Sequence, residues 1–583
     1  MTESKIKSLG YTGVKISDGI FAPQIKGVAD YYHAIPNDDL LYGFRKRAGK
    51  AAPGRPLEGW YSQGFYHVFG QILGGLAKLS LTTDDKRLGD KAGELLDGWL
   101  ECMDADGYGL HNQSGQSNDP YYEYDKLMGG LVDCAVFLGS DKAKSGISRL
   151  TDWAIKNLNQ DIRPLMSAEK PRNIYEWYTI SENIYRAYQA LGDQKYFDFA
   201  KVWEYPFYWD SFLDKDNFSF YPRHAYSHVN TLGGAAMAYR LTGEEKYLTI
   251  IRNAYDIITS NYLYATGGYG ASEILFEPDG AIGESIKNKG QHTEVCCCSW
   301  AAFKLCRYLM EFTGDAKYAG WAEKILYNLI GAEPLPDAGG KLLYFANYHC
   351  DGAVKCNDDG RVLSGLTFEW PCCSGTMPGA IAEYANMIAF SGQAGVYLSQ
   401  YINSDIDMDL DGQKLALAIR TSYPEEEMIR LSFNTVPDKE FTLFLRKPDC
   451  AGDPEISVNG QAFDFGREDG WLTVKRAWKA GDNLILRLPM RIGHSYPDMQ
   501  HRGTVAYTYG PVALASDKNG LINADPLHAY LWLKPYAEGG PLCFRTDPGI
   551  MKLYENRRKT FKPFYRVGKY ERYYLYNYTT KIV

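Results

Sequence analysis

The chain has 583 residues, 45% hydrophobic and 23% charged, with a net charge of -8; this excludes a disordered chain and points to several domains or one large barrel with additions. That charge leaves no basic stripe for nucleic acid or anionic lipid, and no run reaches the ~18 apolar residues of a membrane span, so neither is expected as a partner. Twelve cysteines in so long a chain make no dense disulfide framework and are expected as thiols.

The opening MTESKIKSLGYTGVKISDG lacks the apolar core of a signal peptide, which predicts a cytoplasmic protein unless a leader has been removed. Residues 1–19 are read as an N-terminal segment in which VKISDG adds a strand to the β-part. Residues 20–395 then carry a degenerate unit: TTDDKRLGDKAGELLDGWL, GSDKAKSGISRLTDWAI, LGDQKYFDFAKVW, TGEEKYLTIIRNAYDII and TGDAKYAGWAEKILYNLI. Each has a small turn residue, an acidic residue and a nearby lysine, then apolar positions at helical spacing. The turn ends one helix and the acidic residue caps the next. The markers Asp85, Asp141, Asp193, Glu244 and Asp315 stand 56, 52, 51 and 71 residues apart, and about fifty residues is the length of two average helices with their loops. With GTMPGAIAEYANMIAF as a further helix, six hairpins closing into an (α/α)6 barrel are predicted; an open solenoid is the competing arrangement. The long interval holds YATGGYGASEILFEPDGAIGESIKNKGQHTEVCCC, and long insertions on a regular scaffold often carry function.

From about residue 396 the period changes. GVYLSQYI, KLALAIRTSY, MIRLSFNT, FTLFLRKP, PEISVNG, GWLTVKRAW and NLILRLPM are short, alternating segments bounded by turn residues, which predicts a β-sandwich over 396–500. Residues 501–583, ending PFYRVGKYERYYLYNYTTKIV, are read as a β-rich segment packed on the body. The fold class is therefore multidomain α+β: an (α/α)6 barrel followed by β-sandwich structure.

Two cysteine clusters, QHTEVCCCSW and PCCSGT, each immediately precede an amphipathic helix. In a barrel of hairpins successive inner helices start at the same rim, so the clusters could converge. A glutamate with three cysteines is a four-ligand set that suits zinc, and helix N-termini favour thiolates. Cysteine is otherwise a small buried apolar residue, the reading given to Cys134 and Cys306. His224 and His228 fall together in RHAYSHVNTL, suited equally to capping or to binding sugar hydroxyls. Aromatic residues make up 14% of the chain, which fits core filler better than sugar stacking; Tyr122, Trp177 and Tyr178 are nonetheless candidates for a pocket wall.

TGGYGASE, HTEVCCCSW and PCCSGT, in that order on a helical barrel followed by β-domains, resemble the β-L-arabinofuranosidase-type glycoside hydrolases of family 127 and its relatives. The likeness covers nearly the whole chain, including EWYTISENIYRAY and HAYSHVNTL. It implies a zinc ion (Zn2+) held by a glutamate and three cysteines, with the first cysteine of the adjacent pair also attacking the anomeric carbon. On this sequence Cys372 becomes nucleophile and ligand, with Cys373 and Glu294 as further ligands. The remaining ligand is Cys296 by Glu-x-Cys spacing or Cys297 by counting back from Ser-Trp. The acid/base that follows the TGG turn becomes Glu273, while Glu277 and Glu284 are read as solvated surface charges. The resemblance also favours substrate binding by the histidines. It implies retaining removal of a terminal β-L-arabinofuranose or related sugar from an oligosaccharide or glycoside, with a homodimer left open. The rivals are a metal-free (α/α)6 uronyl hydrolase or lyase, for which Cys372 and Cys373 are dispensable, and a non-catalytic carbohydrate-binding protein.

Overall fold

A helix buried on one side needs one apolar stripe, whereas a helix buried all round can carry apolar residues everywhere. Both kinds alternate along the first two thirds of the chain. The computed structural model describes residues 2–59, 68–113, 119–165, 176–215, 218, 223–288, 290–337, 340–357, 364–547, 549 and 558–580. The last three residues of the C-terminal aromatic run lie outside these.

The long helices are α1 (Ala22–Ala34), α2 (Asn37–Arg47), α3 (Val68–Thr83), α4 (Lys86–Leu100), α5 (Pro120–Phe137), α6 (Asp141–Asn157) and α7 (Ile180–Leu191). They continue as α8 (Gln194–Val202), α9 (Leu232–Thr242), α10 (Glu245–Asn261), α11 (Val295–Thr313), α12 (Ala319–Asn328) and α13 (Cys372–Asn386). Helices α3, α5, α7, α9, α11 and α13 pack each on the next, and α13 returns to α3. That closes the ring and decides for the barrel over the solenoid. Helices α4, α6, α8, α10 and α12 lie outside, each against its hairpin partner, and α1 covers α13. The stripes agree: α4 buries Leu88, Ala92, Leu95, Leu96 and Trp99, one face only, while every residue of α13 is buried. Glycine lets the ring close tightly, since a methyl on Gly130 of α5 would lie 2.2 Å from the carbonyl oxygen of Gly70 on α3.

Beyond the barrel a six-stranded and a seven-stranded sheet form the sandwich, with alternate residues such as Leu417, Ile419, Leu431, Leu443 and Val474 buried. The N-terminal segment adds a strand to each: Ile6–Ser8 beside Ala389–Gly392, and Val14–Ile16 beside Ser404–Leu410. A third sheet runs from Ile492–Ser495 to Tyr576–Tyr578.

One feature of the barrel region differs from the helical reading of 20–395. Between α12 and α13 the chain makes strands Lys341–Ala346, Ala353–Asn357 and Ser364–Glu369. With Thr293–Glu294 on one edge and Arg572–Tyr573 on the other, these form a five-stranded sheet at the rim. Among the described residues, no helix is long and apolar enough to cross a membrane.

Candidate active site and metal centre

Glu294 is the last residue of an edge strand paired antiparallel to Lys341–Ala346, opposite Phe345, and α11 begins with the next residue. Cys372 is the first residue of α13, behind Pro371. Both helices belong to the inner ring and start at the same rim, so the two clusters meet. The Cys372 thiol donates to Glu294 Oε1 at 2.9 Å, and Cys373 Sγ lies 3.5 Å from the same oxygen. Cys297 Sγ stands 3.5 Å from Cys372 Sγ and 3.7 Å from Cys373 Sγ. All four residues are buried, their donor atoms within 4.8 Å of one another.

These spacings fit a cation. Ligands at zinc–sulfur distances of about 2.3 Å in a tetrahedron have sulfurs about 3.8 Å apart, close to those observed. Glu294 Oε2 is buried without a hydrogen-bond partner, a cost that a bound cation would remove. The electrostatics agree, because burial pushes the Glu294 carboxyl and the Cys297, Cys372 and Cys373 thiols well above their ordinary pKa values. Four buried acids in one place hold their protons unless a positive charge stands among them.

Successive helical residues point about 100° apart, so the triple cysteine divides. Cys297 faces the group and also touches Thr376 Oγ1 at 3.0 Å. The Cys296 thiol instead donates to Glu333 Oε2 at 3.2 Å, and Cys298 turns to the Tyr269 carbonyl.

Glu273 stands across from the cysteines. It ends a tight turn in which Ser272 and Glu273 both take left-handed conformations, φ 50° and 64°, a strained arrangement for residues other than glycine. The turn aims the carboxylate inward, where the Tyr344 hydroxyl donates to it and His224, Glu273 and Glu294 gather. Tyr344 also lies 3.5 Å from Cys372 Sγ, so it touches both groups. Glu277 is exposed, and Glu284 pairs with His501 at 2.7 Å.

His224 Nδ1 lies 2.6 Å from Glu176 Oε1 and 2.8 Å from Ser227 Oγ. Burial alone would lower its pKa, but the Glu176 carboxylate, with Glu273 and Glu294 beyond, raises it to about 10. The Glu176 carboxylate beside it thus favours the protonated ring. His228 is its opposite: burial holds it down to about 3, and its Nδ1 donates to the His224 carbonyl at 2.8 Å. That bond leaves Nε2 as an acceptor, buried and without a hydrogen-bond partner. Tyr178 packs its ring on His228 and bonds Ser227 Oγ at 2.8 Å. Trp177 is buried among Tyr178, Trp203 and Tyr205, in the aromatic core rather than with the cysteines. Tyr122, at the start of α5, carries the Lys126 ammonium 4.4 Å over its ring.

Sequence reasoning passed over Glu176 and Tyr344. Glu176 directly precedes the Trp177–Tyr178 pair, and a search for a carboxylate to partner His224 could have found it. Tyr344 lies in KLLYFA, whose β-character the helical repeat concealed.

The described geometry has counterparts. A family model described as "Beta-L-arabinofuranosidase, GH127 catalytic domain" matches residues 13–386, and one described as "Beta-L-arabinofuranosidase, GH127 middle domain" matches 395–490. Among solved structures, a GH127 β-arabinofuranosidase superposes with a TM-score of 0.73 at 20% identity, covering 99% of this chain and 98% of that one. A GH127 β-L-arabinofuranosidase from Geobacillus stearothermophilus T6 gives 0.73 at 19% identity, covering 98% of this chain and 100% of that one. At such identities the superpositions speak for the fold. No curated protein sequence matches the chain.

Proposed function

The chain belongs to the GH127 β-L-arabinofuranosidase family and is a glycoside hydrolase, and from that premise we propose a retaining, exo-acting hydrolysis with Cys372 as nucleophile and Glu273 as acid/base. The substrate is a terminal β-L-arabinofuranoside, or a closely related sugar, on an oligosaccharide. The observation that carries this reading is access: Cys372 is 8% exposed, whereas Cys297 and Cys373 are 0% exposed. Of the clustered thiols, Cys372 is the most exposed, and Tyr344 links it to Glu273.

Glu294, Cys297, Cys372 and Cys373 would hold the metal, and their thiol-rich donor set supports zinc. Bound there, zinc supplies the positive charge that keeps the thiols ionised at neutral pH. The Cys372 sulfur attacks the anomeric carbon, and Glu273 gives its proton to the departing oxygen. Water then attacks the same carbon, giving a proton to Glu273 as the carbon–sulfur bond breaks and Cys372 leaves as thiolate. Two displacements retain the anomeric configuration, with sulfur in the place of the second carboxylate. Tyr344 orients Glu273, and the His224–Glu176 pair offers donors and acceptors to the sugar hydroxyls.

Metal content by elemental analysis, alongside hydrolysis of an aryl β-L-arabinofuranoside, tests this. The native protein is expected to hold one zinc per chain and release the β-anomer first; Glu273→Gln is expected to lower kcat by about 10²–10⁴-fold. Wild-type turnover by Cys372→Ala, or an inverted product, would sink the mechanism.

A further inference from the structure

The metal cluster stands where the inner helices begin. Where they end, at the opposite mouth of the barrel, a second pocket of about 410 Å³ opens, within the ~300–1,000 Å³ range of small-molecule sites. The sequence lines it with charged side chains set beside apolar ones such as Val132, Phe137 and Met237. Glu182 and Arg186 lie one turn apart on α7, and Lys304, Arg307 and Glu311 share a face of α11 at spacings of three and four. Lys78, Arg240 and Glu383 come from α3, α9 and α13.

These groups do not balance. The lining holds five cations (Lys78, Arg186, Arg240, Lys304, Arg307) against three carboxylates. Asp133 of α5, just behind, takes Lys78 at 2.8 Å and Arg186, which leaves a surplus of one positive charge. Lys304 is bonded to Glu182, and Arg240 to Glu311. Arg307 is the poorly matched member: Glu383 and Glu311 stand at 3.5 and 3.6 Å, and its Nε has no hydrogen-bond partner. The ring of Trp300, also lining the pocket, carries the Lys304 ammonium 4.1 Å over it. Charges kept beside a void at the end of a barrel are costly where apolar packing would be more stable, unless they meet something.

We propose that this pocket is a second ligand site, taking an anionic monosaccharide (a sugar phosphate or a sugar acid) whose charge meets Arg307 and whose hydroxyls meet Gln189. The positive surplus selects the anion, and the volume exceeds what an inorganic ion fills. The exposed Gln189 amide at the rim suits a hydroxyl-bearing ring. The site is independent of the cysteine cluster and of the hydrolytic reading.

Calorimetric titration of the full chain with glucose 6-phosphate, glucuronate, glucose and inorganic phosphate tests it. At least one anionic sugar is expected to bind more tightly than both glucose and phosphate, and Arg307→Gln is expected to weaken it about tenfold or more. Because Arg307 also touches buried carboxylates, Ala190→Glu provides a second variant: at an exposed rim position it adds a repelling charge without disturbing the core. It is expected to weaken binding in the same direction. The proposal is overturned if neither anionic sugar binds at millimolar concentration, if glucose or phosphate binds equally well, or if both variants bind like the native protein.

Discussion

Three consecutive cysteines at the start of one helix meet three different partners, because each step turns the side chain by about 100°. Cys297 reaches the Glu294–Cys372–Cys373 group, Cys296 reaches Glu333, and Cys298 reaches a carbonyl. Residue spacing alone left Cys296 and Cys297 open, since counting forward from Glu294 and back from Ser-Trp give different answers, and helix phase relative to α13 is a tertiary quantity. Elemental analysis of single variants reads the difference directly. Cys297→Ala is expected to lose the metal, whereas Cys296→Ala is expected to keep close to one ion per chain. Cys296→Ala should still lower stability, by roughly 1–3 kcal/mol, because it leaves the buried Glu333 carboxyl without its hydrogen-bond donor. Retention of metal by Cys297→Ala together with its loss from Cys296→Ala would reverse the assignment.

At the scale of elements, the repeat was readable because its punctuation is chemical. Asp85, Asp193 and Asp315 each accept a backbone N–H two residues on, at 2.9–3.0 Å, and so cap their helices. Two markers act differently: Ser140, beside Asp141, makes the cap of α6, and Glu244 caps α10 by position without a side-chain bond. Gly139, Gly192, Gly243 and Gly314 take left-handed conformations before four of these turns, and Asp84, φ 58°, does so before Asp85. The rim sheet stayed hidden for a physical reason: its three middle strands fall between TGDAKYAGWAEKILYNLI and GTMPGAIAEYANMIAF, both read as helices, and its edges pair with the distant Thr293–Glu294 and Arg572–Tyr573, so no local period announces it. The caps give a prediction. Asp193→Ala is expected to cost about 1 kcal/mol, and Glu244→Asp, whose shorter side chain can reach the backbone, to gain a few tenths. Chemical denaturation of the two variants checks both signs, and equal midpoints would show that these turns are held by packing alone.

At the scale of the whole molecule, the sequence made the order of barrel and sandwich legible because hydrophobic periodicity switches from helical to alternating near residue 396. The strand expected from VKISDG lies at Val14–Ile16; what the sequence did not show is that Ile6–Ser8 joins the other sandwich sheet and Arg572–Tyr573 the rim sheet. A fold so rich in buried tyrosine has a consequence for its alkaline limit. Leaving the cysteine cluster aside, burial raises the thiols of Cys134 and Cys306 and the phenols of Tyr124, Tyr208 and Tyr264 well above their ordinary values of 9.0 and 10.0. Above pH 9 the unfolded chain releases these protons while the folded chain keeps them. The folded state then binds more protons, so stability falls as pH rises. Lys355 and Lys559 oppose this, because burial lowers each to about 8. Between pH 8 and 10.5 they are protonated when unfolded and neutral when folded, which stabilises the fold as pH rises. Raised phenols and thiols far outnumber lowered lysines, so the fall must win. Calorimetry is expected to give a Tm nearly constant from pH 7 to 8 and declining steeply above pH 9. A Tm that rose through that range would mean the buried tyrosines are reached by water in the folded protein.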